Sequence, residues 1–185
     1  SPISICKSIG LGMISFSEAL TRLKPDLLIV LGDRFESMAA AMAAFVCQIP
    51  IAHIQGGEST LGAIDDQFRH SMTKMSLLHF VTTDEYRRRV IQLGEEPSRV
   101  FNYGALNVEA MKEIRVLSKD QVEKEINFSL GSRSLLVTFH SSTLEKDTAG
   151  EQFLQLIEAI RSFNGLKIIF TKTNADTGGR IINEL

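Results

Sequence analysis

Two kinds of pattern alternate along this chain. Short, continuous apolar runs recur at residues 26–31, 49–54, 78–81, 100–103, 135–139 and 167–171. Unbroken apolar runs of this length predict strands buried on both faces of a parallel sheet. Between them lie stretches with apolar residues three and four apart, the period of a helix packed along one side. These predict helices over 3–23, 35–46, 65–75, 84–93, 107–112, 116–131, 152–163 and from 180 onward. Pro25 stops the first helix. Alanines at 39, 40, 41, 43 and 44 favour helix and permit close packing in the second. Phe68, Met72 and Met75 form the apolar stripe of the 65–75 helix. Ser118 is placed to cap the polar helix that follows.

Each strand is followed by a helix, which predicts α/β architecture with parallel sheets. The series runs to residue 114, a polar connector spans 115–131, and the pattern restarts over 132–185. We read residues 1–114 as the C-terminal part of a first doubly wound, Rossmann-like domain. Residues 132–185 read as the N-terminal part of a second. The sequence opens on Ser1 and its last helical pattern runs to Leu185, so it reads as a piece of a longer protein with both domains incomplete.

Composition narrows the function classes. The formal net charge is −2, with acids and bases interspersed. No basic block or aromatic-basic interleaving points to nucleic acid, and no polybasic helix or long apolar run points to a membrane. Cys6 and Cys47 have no metal-ligand spacing and read as buried free thiols of a cytoplasmic protein. There is no G-x-G-x-x-G after a strand, no Walker A, no G-x-S-x-G and no H-E-x-x-H. Nicotinamide, ATP, serine-hydrolase and zincin chemistry have no support.

The candidate chemistry sits just after the strands. Four polar clusters follow strands: Asp33-Arg34, Gln55–Asp66, His140–Thr143 and Asn174–Asp176. Open α/β sheets bind ligands at this carboxyl edge. The richest is residues 53–70, with Gly56-Gly57, Glu58, Gly62 and Asp65-Asp66 before a helix start. Helical spacing sets Asp65 against Arg69 and Asp66 against His70. Each feature also has a plain structural reading. Paired Asp at a helix start is capping chemistry, Asp33 could cap the helix at Phe35, His140 could be a satisfied core histidine, and Asn174 could make an Asx-turn. The Arg87-Arg88-Arg89 run lies well inside its helix and reads as a solvated face. Four clusters in one register favour a site, where carboxylates supply base and acid and Arg34 neutralises phosphate.

The stretches LGDRFE (31–36), HIQGGESTLGAIDDQFRHSMTKMS (53–76), FHSSTLEKDT (139–148) and FTKTNADTGGRII (170–182) closely resemble the hydrolysing UDP-N-acetylglucosamine 2-epimerases of sialic acid and related nonulosonate biosynthesis. The resemblance spans essentially the whole chain. It implies a GT-B fold with the site between two Rossmann-like domains. It also implies elimination of the nucleotide to a glycal and rehydration, giving N-acetylmannosamine and UDP without metal or cofactor. By motif, Asp33 and Asp65 resemble the carboxylates of elimination and hydration, and Glu58 the acid closing the G-G-E motif. His140 resembles the histidine contributed by the second domain. Arg34, Gln55, Arg69 and Asn174 resemble substrate contacts. The resemblance further implies a nucleotide-sugar substrate and a homo-oligomer, dimer or tetramer, for the full-length protein.

Departures from the family pattern bear on mechanism. Gln55 stands where several members carry a catalytic glutamate, so Glu58 takes that role or the work is divided differently. Ser141 and Thr173 replace loop-rigidifying prolines. The N-terminal G-T-R loop and a C-terminal serine- and glycine-rich loop are absent, which implies that the polypeptide alone is inactive. Alternatives share the fold. They are the same chemistry on a GDP-sugar or on a 2,4-diacetamido-trideoxy UDP-sugar, a non-hydrolysing epimerase, or a nucleotide-sugar-binding module without turnover. The G-G-E and D-D-x-x-R-H pattern argues against the non-hydrolysing type.

Overall fold

The chain begins with a helix whose end is set by its own sequence. Helix α1 (Pro2–Leu23) stops where Lys24 turns left-handed, at φ 48°, just before Pro25. The computed structural model describes residues 1–140, 148–174 and 179–185. Of the polar clusters, Ser141 to Thr143 and Ala175-Asp176 lie outside the described residues. Strand and helix then alternate as β1 (Leu28–Leu31), α2 (Phe35–Val46), β2 (Ile51–Ile54), α3 (Asp65–Met75), β3 (Leu78–Val81), α4 (Asp84–Gln92) and β4 (Val100–Asn102), with α5 (Leu106–Glu113) after them. The strand read over 49–54 pairs only from Ile51, because Pro50 has no N–H to give to a ladder.

These strands form one sheet in the order β1-β2-β3-β4, every pair parallel, with Val30 beside His53 and His53 beside His79. Register puts Val30, Ile51, His53, His79, Val81 and Val100 on one face, and all are buried. Helices α2, α3 and α4 cover that face. Val30, Ile51, the alanines of α2 and Met72 of α3 make one core cluster, and Val81, Val90 of α4 and Val100 make another. On the opposite face Ile29 and Leu31 are exposed, Phe80, Phe101 and Tyr103 stack on one another, and α5 overhangs beside Tyr103.

Two expectations need correction here. Helix α1 is long and apolar enough, by length and composition, to cross a membrane. The sequence has no continuous apolar run there, but its Ile, Leu, Met and Phe positions, separated mainly by the weakly polar Gly and Ser, keep the average high. In the structure Gly12 lies against Ala39 of α2, where an added Cβ would stand 3.1 Å from the alanine methyl, and Leu20 enters the core. The second correction concerns the thiols. Cys6 and Cys47 are free but exposed, not buried, since each sits on the outer side or at the end of its helix.

The chain divides into two compact units, Pro2–Lys112 and Glu113–Leu185. In the second, α6 (Lys119–Ile126) opens with a capping box. The Ser118 hydroxyl accepts from the Gln121 backbone N–H and the Gln121 side chain accepts from that of Ser118. The helix is shorter than the 116–131 stretch predicts because Asn127 turns left-handed, at φ 50°. Strands β5 (Ser134–Val137) and β6 (Lys167–Phe170) pair in parallel, with α7 (Ala149–Arg161) between them and α8 (Gly179–Glu184) after β6. Leu28 and Val137 thus lie in separate sheets. Ala149, Phe153 and Ile182 form the second unit's core.

Candidate active site

The first site segment is the turn out of β1. Gly32, at φ +74°, donates its N–H to the Ile54 carbonyl at 3.0 Å and turns the chain toward α2. Asp33 does not cap α2. The N-cap is Arg34, without a side-chain cap bond, and the Asp33 carboxylate accepts a hydrogen bond from Nη2 of Arg69. Arg34 meets Glu36 at 3.4 Å and lies over the Phe35 ring.

The second segment leaves β2 under strain. Gln55 takes φ +64°, which for a residue with a Cβ costs roughly 1–3 kcal/mol, while its N–H still donates to the Phe80 carbonyl at 2.8 Å. Gly57, at φ +79°, is compulsory for packing as well as for conformation. A Cβ there would come within 2.5 Å of the Tyr86 carbonyl oxygen and 2.8 Å of Val90. Helix α4 therefore rests directly on Gly57, and Arg89 donates from Nη1 to the Gly57 carbonyl. Arg87 likewise donates to the carbonyls of Val100 and Pro97, so only Arg88 of the arginine run faces solvent as that run predicts. This places Glu58, whose Oε1 accepts from the Thr82 hydroxyl at 3.1 Å and whose Oε2 lies 3.8 Å from Nη1 of Arg69.

Arg69 is the hub. Its side chain is only 7% exposed, and it stands between Asp33 (20%) and Glu58 (29%). Its Nη2 also reaches the Thr60 hydroxyl at 3.3 Å, and its Nε and Nη1 are buried without a hydrogen-bond partner. One guanidinium thus draws together acids 25 residues apart in sequence, from two loops. Asp65 opens α3 one turn before Arg69 and is half-buried. Asp66 closes the intervening loop by accepting from the Thr60 N–H at 2.8 Å, and faces His70 at 3.7 Å, the i,i+4 pair that the spacing predicts.

Behind these residues lies a buried histidine to which the sequence assigns no role. The His53 ring is completely buried, with Nε2 2.8 Å from the Gly32 carbonyl and Nδ1 3.1 Å from the Thr73 hydroxyl. A carbonyl only accepts, so Nε2 carries the proton. Burial pushes the ring's pKa down to about 4, which keeps it neutral with Nδ1 as an acceptor for Thr73. His79, its neighbour in the next strand, is also buried, and burial lowers its pKa although Glu95 opposes this. Its Nε2 lies 3.1 Å from Glu95, which also pairs with Lys74 at the other end of α3. Both histidines alternate with apolar residues in their strands, the one signal in sequence that their rings point inward.

The second unit carries two predicted site residues. His140 follows β5 and is exposed, so it is not a core histidine. Asn174 is exposed too, and Gly179 packs on its carbonyl while the Thr173 hydroxyl donates to the Gly179 carbonyl at 2.8 Å. Among the described residues no cluster of His, Cys, Asp and Glu is arranged to hold a metal ion.

The whole chain, residues 1–185, matches the family model described as UDP-N-acetylglucosamine 2-epimerase. It is 43% identical over 183 residues to a Campylobacter jejuni protein named GDP/UDP-N,N'-diacetylbacillosamine 2-epimerase (hydrolyzing), a match covering 99% of this chain and 48% of that protein. It is 42% identical over 179 residues to a polysialic acid biosynthesis protein of Escherichia coli, covering 96% of this chain and 46% of the relative. The chain therefore spans about half the length of these curated relatives. The crystal structure of UDP-GlcNAc 2-epimerase from Neisseria meningitidis bound to UDP-GlcNAc superimposes with a TM-score of 0.77 at 20% identity, over 96% of this chain and 50% of that one. The parallel sheets with alternating helices are thus parts of a GT-B fold. The chain belongs to the UDP-N-acetylglucosamine 2-epimerase family.

Proposed function

We propose that the protein to which this chain belongs is a hydrolysing 2-epimerase of a UDP-activated 2-acetamido sugar. The observation that carries this reading is the pair of carboxylates, Asp33 and Glu58, drawn to one buried guanidinium at the carboxyl edge of the sheet. Elimination removes the C2 proton to a carboxylate and breaks the C1–O bond, so that UDP departs with the bonding electrons and a glycal remains. Water then adds at C1, and a proton returns to C2 on the opposite face. For UDP-N-acetylglucosamine the products are N-acetylmannosamine and UDP.

In this reading Asp33 and Asp65 serve elimination and hydration, and Glu58 takes the proton work that Gln55 cannot do. Arg69 fixes Asp33 and Glu58 and Arg34 meets substrate phosphate, while Gln55 and Asn174 contact substrate. His140 is assigned by its motif. Residues 1–114 and 132–185 then belong to two Rossmann-like domains joined through 115–131, and the whole protein is a cytoplasmic homo-oligomer. The name of the Campylobacter relative favours a second reading in which the sugar carries a second acetamido group at C4.

The test uses the full-length enzyme and a panel of UDP- and GDP-sugars, with UDP release and free sugar measured together. Asp65→Asn and Glu58→Gln should lower turnover by about 10²–10⁴ with binding largely kept, the usual worth of a general acid or base. Arg34→Ala should chiefly weaken binding, because its partner is already charged in the ground state. Near-normal turnover in both carboxylate variants would sink the assignment, and nucleotide release without inversion at C2 would sink the reaction.

A further inference from the structure

Three elements carry the candidate site: the Gly32-Asp33 turn, the double-glycine loop and helix α3. They meet behind it at one side chain. The His53 Nε2–H donates to the Gly32 carbonyl, the peptide immediately before Asp33. On the other side Nδ1 meets the Thr73 hydroxyl, which sits one helical turn beyond Arg69 and is 3.1 Å from the Arg69 carbonyl. The third contact is a close approach. A Cβ on Gly56 would stand 3.1 Å from His53 Nδ1 and 3.2 Å from Thr73 Oγ1, so the loop that ends in Glu58 is seated on the ring itself. Among the residues of this strand only His53 can do this. The apolar neighbours Ala52 and Ile54 cannot bond a carbonyl, and a lysine would bury a charge.

We propose that His53 is a positioning residue of the reaction, a rigid joint that holds the Asp33 turn in register with the Arg69 turn of α3. It touches neither carboxylate and acts through the backbone. The consequence is geometric. If the Gly32 peptide is released, Asp33 moves relative to Arg69 and to whatever is bound in front of them, and displacement of a catalytic group by about 1 Å costs on the order of 10²-fold in rate. This inference rests on the epimerase reading for its kinetic arm but not for its structural one.

The experiment compares full-length His53→Phe, His53→Gln and Thr73→Val with the parent enzyme. Phenylalanine keeps ring volume and loses both bonds, whereas the glutamine amide can restore the donor to the Gly32 carbonyl. For active folded enzyme, His53→Phe should lower kcat by about 10²-fold with KM changed by less than about threefold, and His53→Gln should recover most of the loss. Thr73→Val should fall between them. Crystal structures of the variants provide a readout independent of turnover, and the Asp33–Arg69 pair should be broken or shifted in His53→Phe and restored in His53→Gln. If His53→Phe does not fold, the other two variants decide the matter by the same measures. Unchanged kcat in folded His53→Phe, or in Thr73→Val where only that folds, would overturn the proposal. So would an intact Asp33–Arg69 pair in the variant crystal structure. Failure of the parent enzyme to turn over any nucleotide sugar would count against the epimerase reading alone, and the crystal structures would still decide the joint.

Discussion

The two ends of α3 are built as opposites. Near its start Arg69, one cation, is clasped by two acids, and both acids keep a fifth or more of their surface open. Near its end Glu95, one acid, is clasped by Lys74 and His79, and it is the acid that is shut away, at 12% exposed, while Lys74 is 52% exposed. Each knot leaves buried nitrogen unbonded, Nε and Nη1 of Arg69 in one and Nδ1 of His79 in the other. The difference lies in what is presented outward. At the carboxyl edge of the sheet the carboxylates are presented outward from a buried cation, whereas at the amino edge the carboxylate is the group shut in. Left-handed backbone occurs at both, at Gln55 and Gly57 in the loop of the open knot and at Gly94 beside Glu95 in the closed one.

The largest effect should come from breaking the open knot. Arg69→Met in the full-length protein leaves two acids without their shared cation. It should cost about 4 kcal/mol by denaturant unfolding, as loss of one partner from a buried pair does, together with at least about 10² in turnover. A smaller loss would mean that the acids are held by Thr82 and the backbone, and that the two ends are alike.

Acid should be the next most effective disruption. The pKa of His53 is about 4 when folded and 6.5 when free, so the unfolded chain takes up the proton first. Its contribution to stability is complete above pH 6.5 and is lost as pH falls from there to about 4, at about 3 kcal/mol in total. His79 is shifted in the same direction and adds to the slope. Unfolding measured across this range should show His53→Gln with a flatter acid limb than the parent. Parallel limbs would place the titration elsewhere.

Gly57→Ala tests the seat of the open end. The added methyl collides with the Tyr86 carbonyl and a left-handed φ must be held, so stability should fall by about 2–3 kcal/mol, with turnover falling because Glu58 shifts. The smallest effect belongs to the closed knot. Glu95→Gln keeps shape and loses charge, which should cost about 1 kcal/mol and leave turnover unchanged. A turnover defect there would show the two ends of α3 to be coupled.

Much of this was legible in the sequence for a simple reason. Unbroken apolar runs followed by amphipathic stretches admit few arrangements other than parallel strands crossed by helices, and polar residues after such strands must gather at one edge. Asp33, Glu58 and Arg69 could thus be named as candidates. What spacing could not show was partner choice. Along the helix Arg69 reads as the mate of Asp65, yet it reaches Asp33, 36 residues away, because the sheet brings the β1 turn over the second turn of α3. Arg87 and Arg89 read as solvated because a charge pattern does not reveal which backbone carbonyls lack a donor. His53 was hidden for the same reason. Its partners are a carbonyl and a hydroxyl on two other elements, and neither leaves a trace in local sequence.

The strand order has a kinetic consequence. Because β1 to β4 lie side by side in chain order, every pairing in the sheet joins strands separated by a single crossover helix. Such a sheet can be assembled by adding one neighbour at a time, with modest loop closure at each step. The Asp33 turn and the double-glycine loop leave paired strands, so the single addition that joins β1 to β2 brings both together.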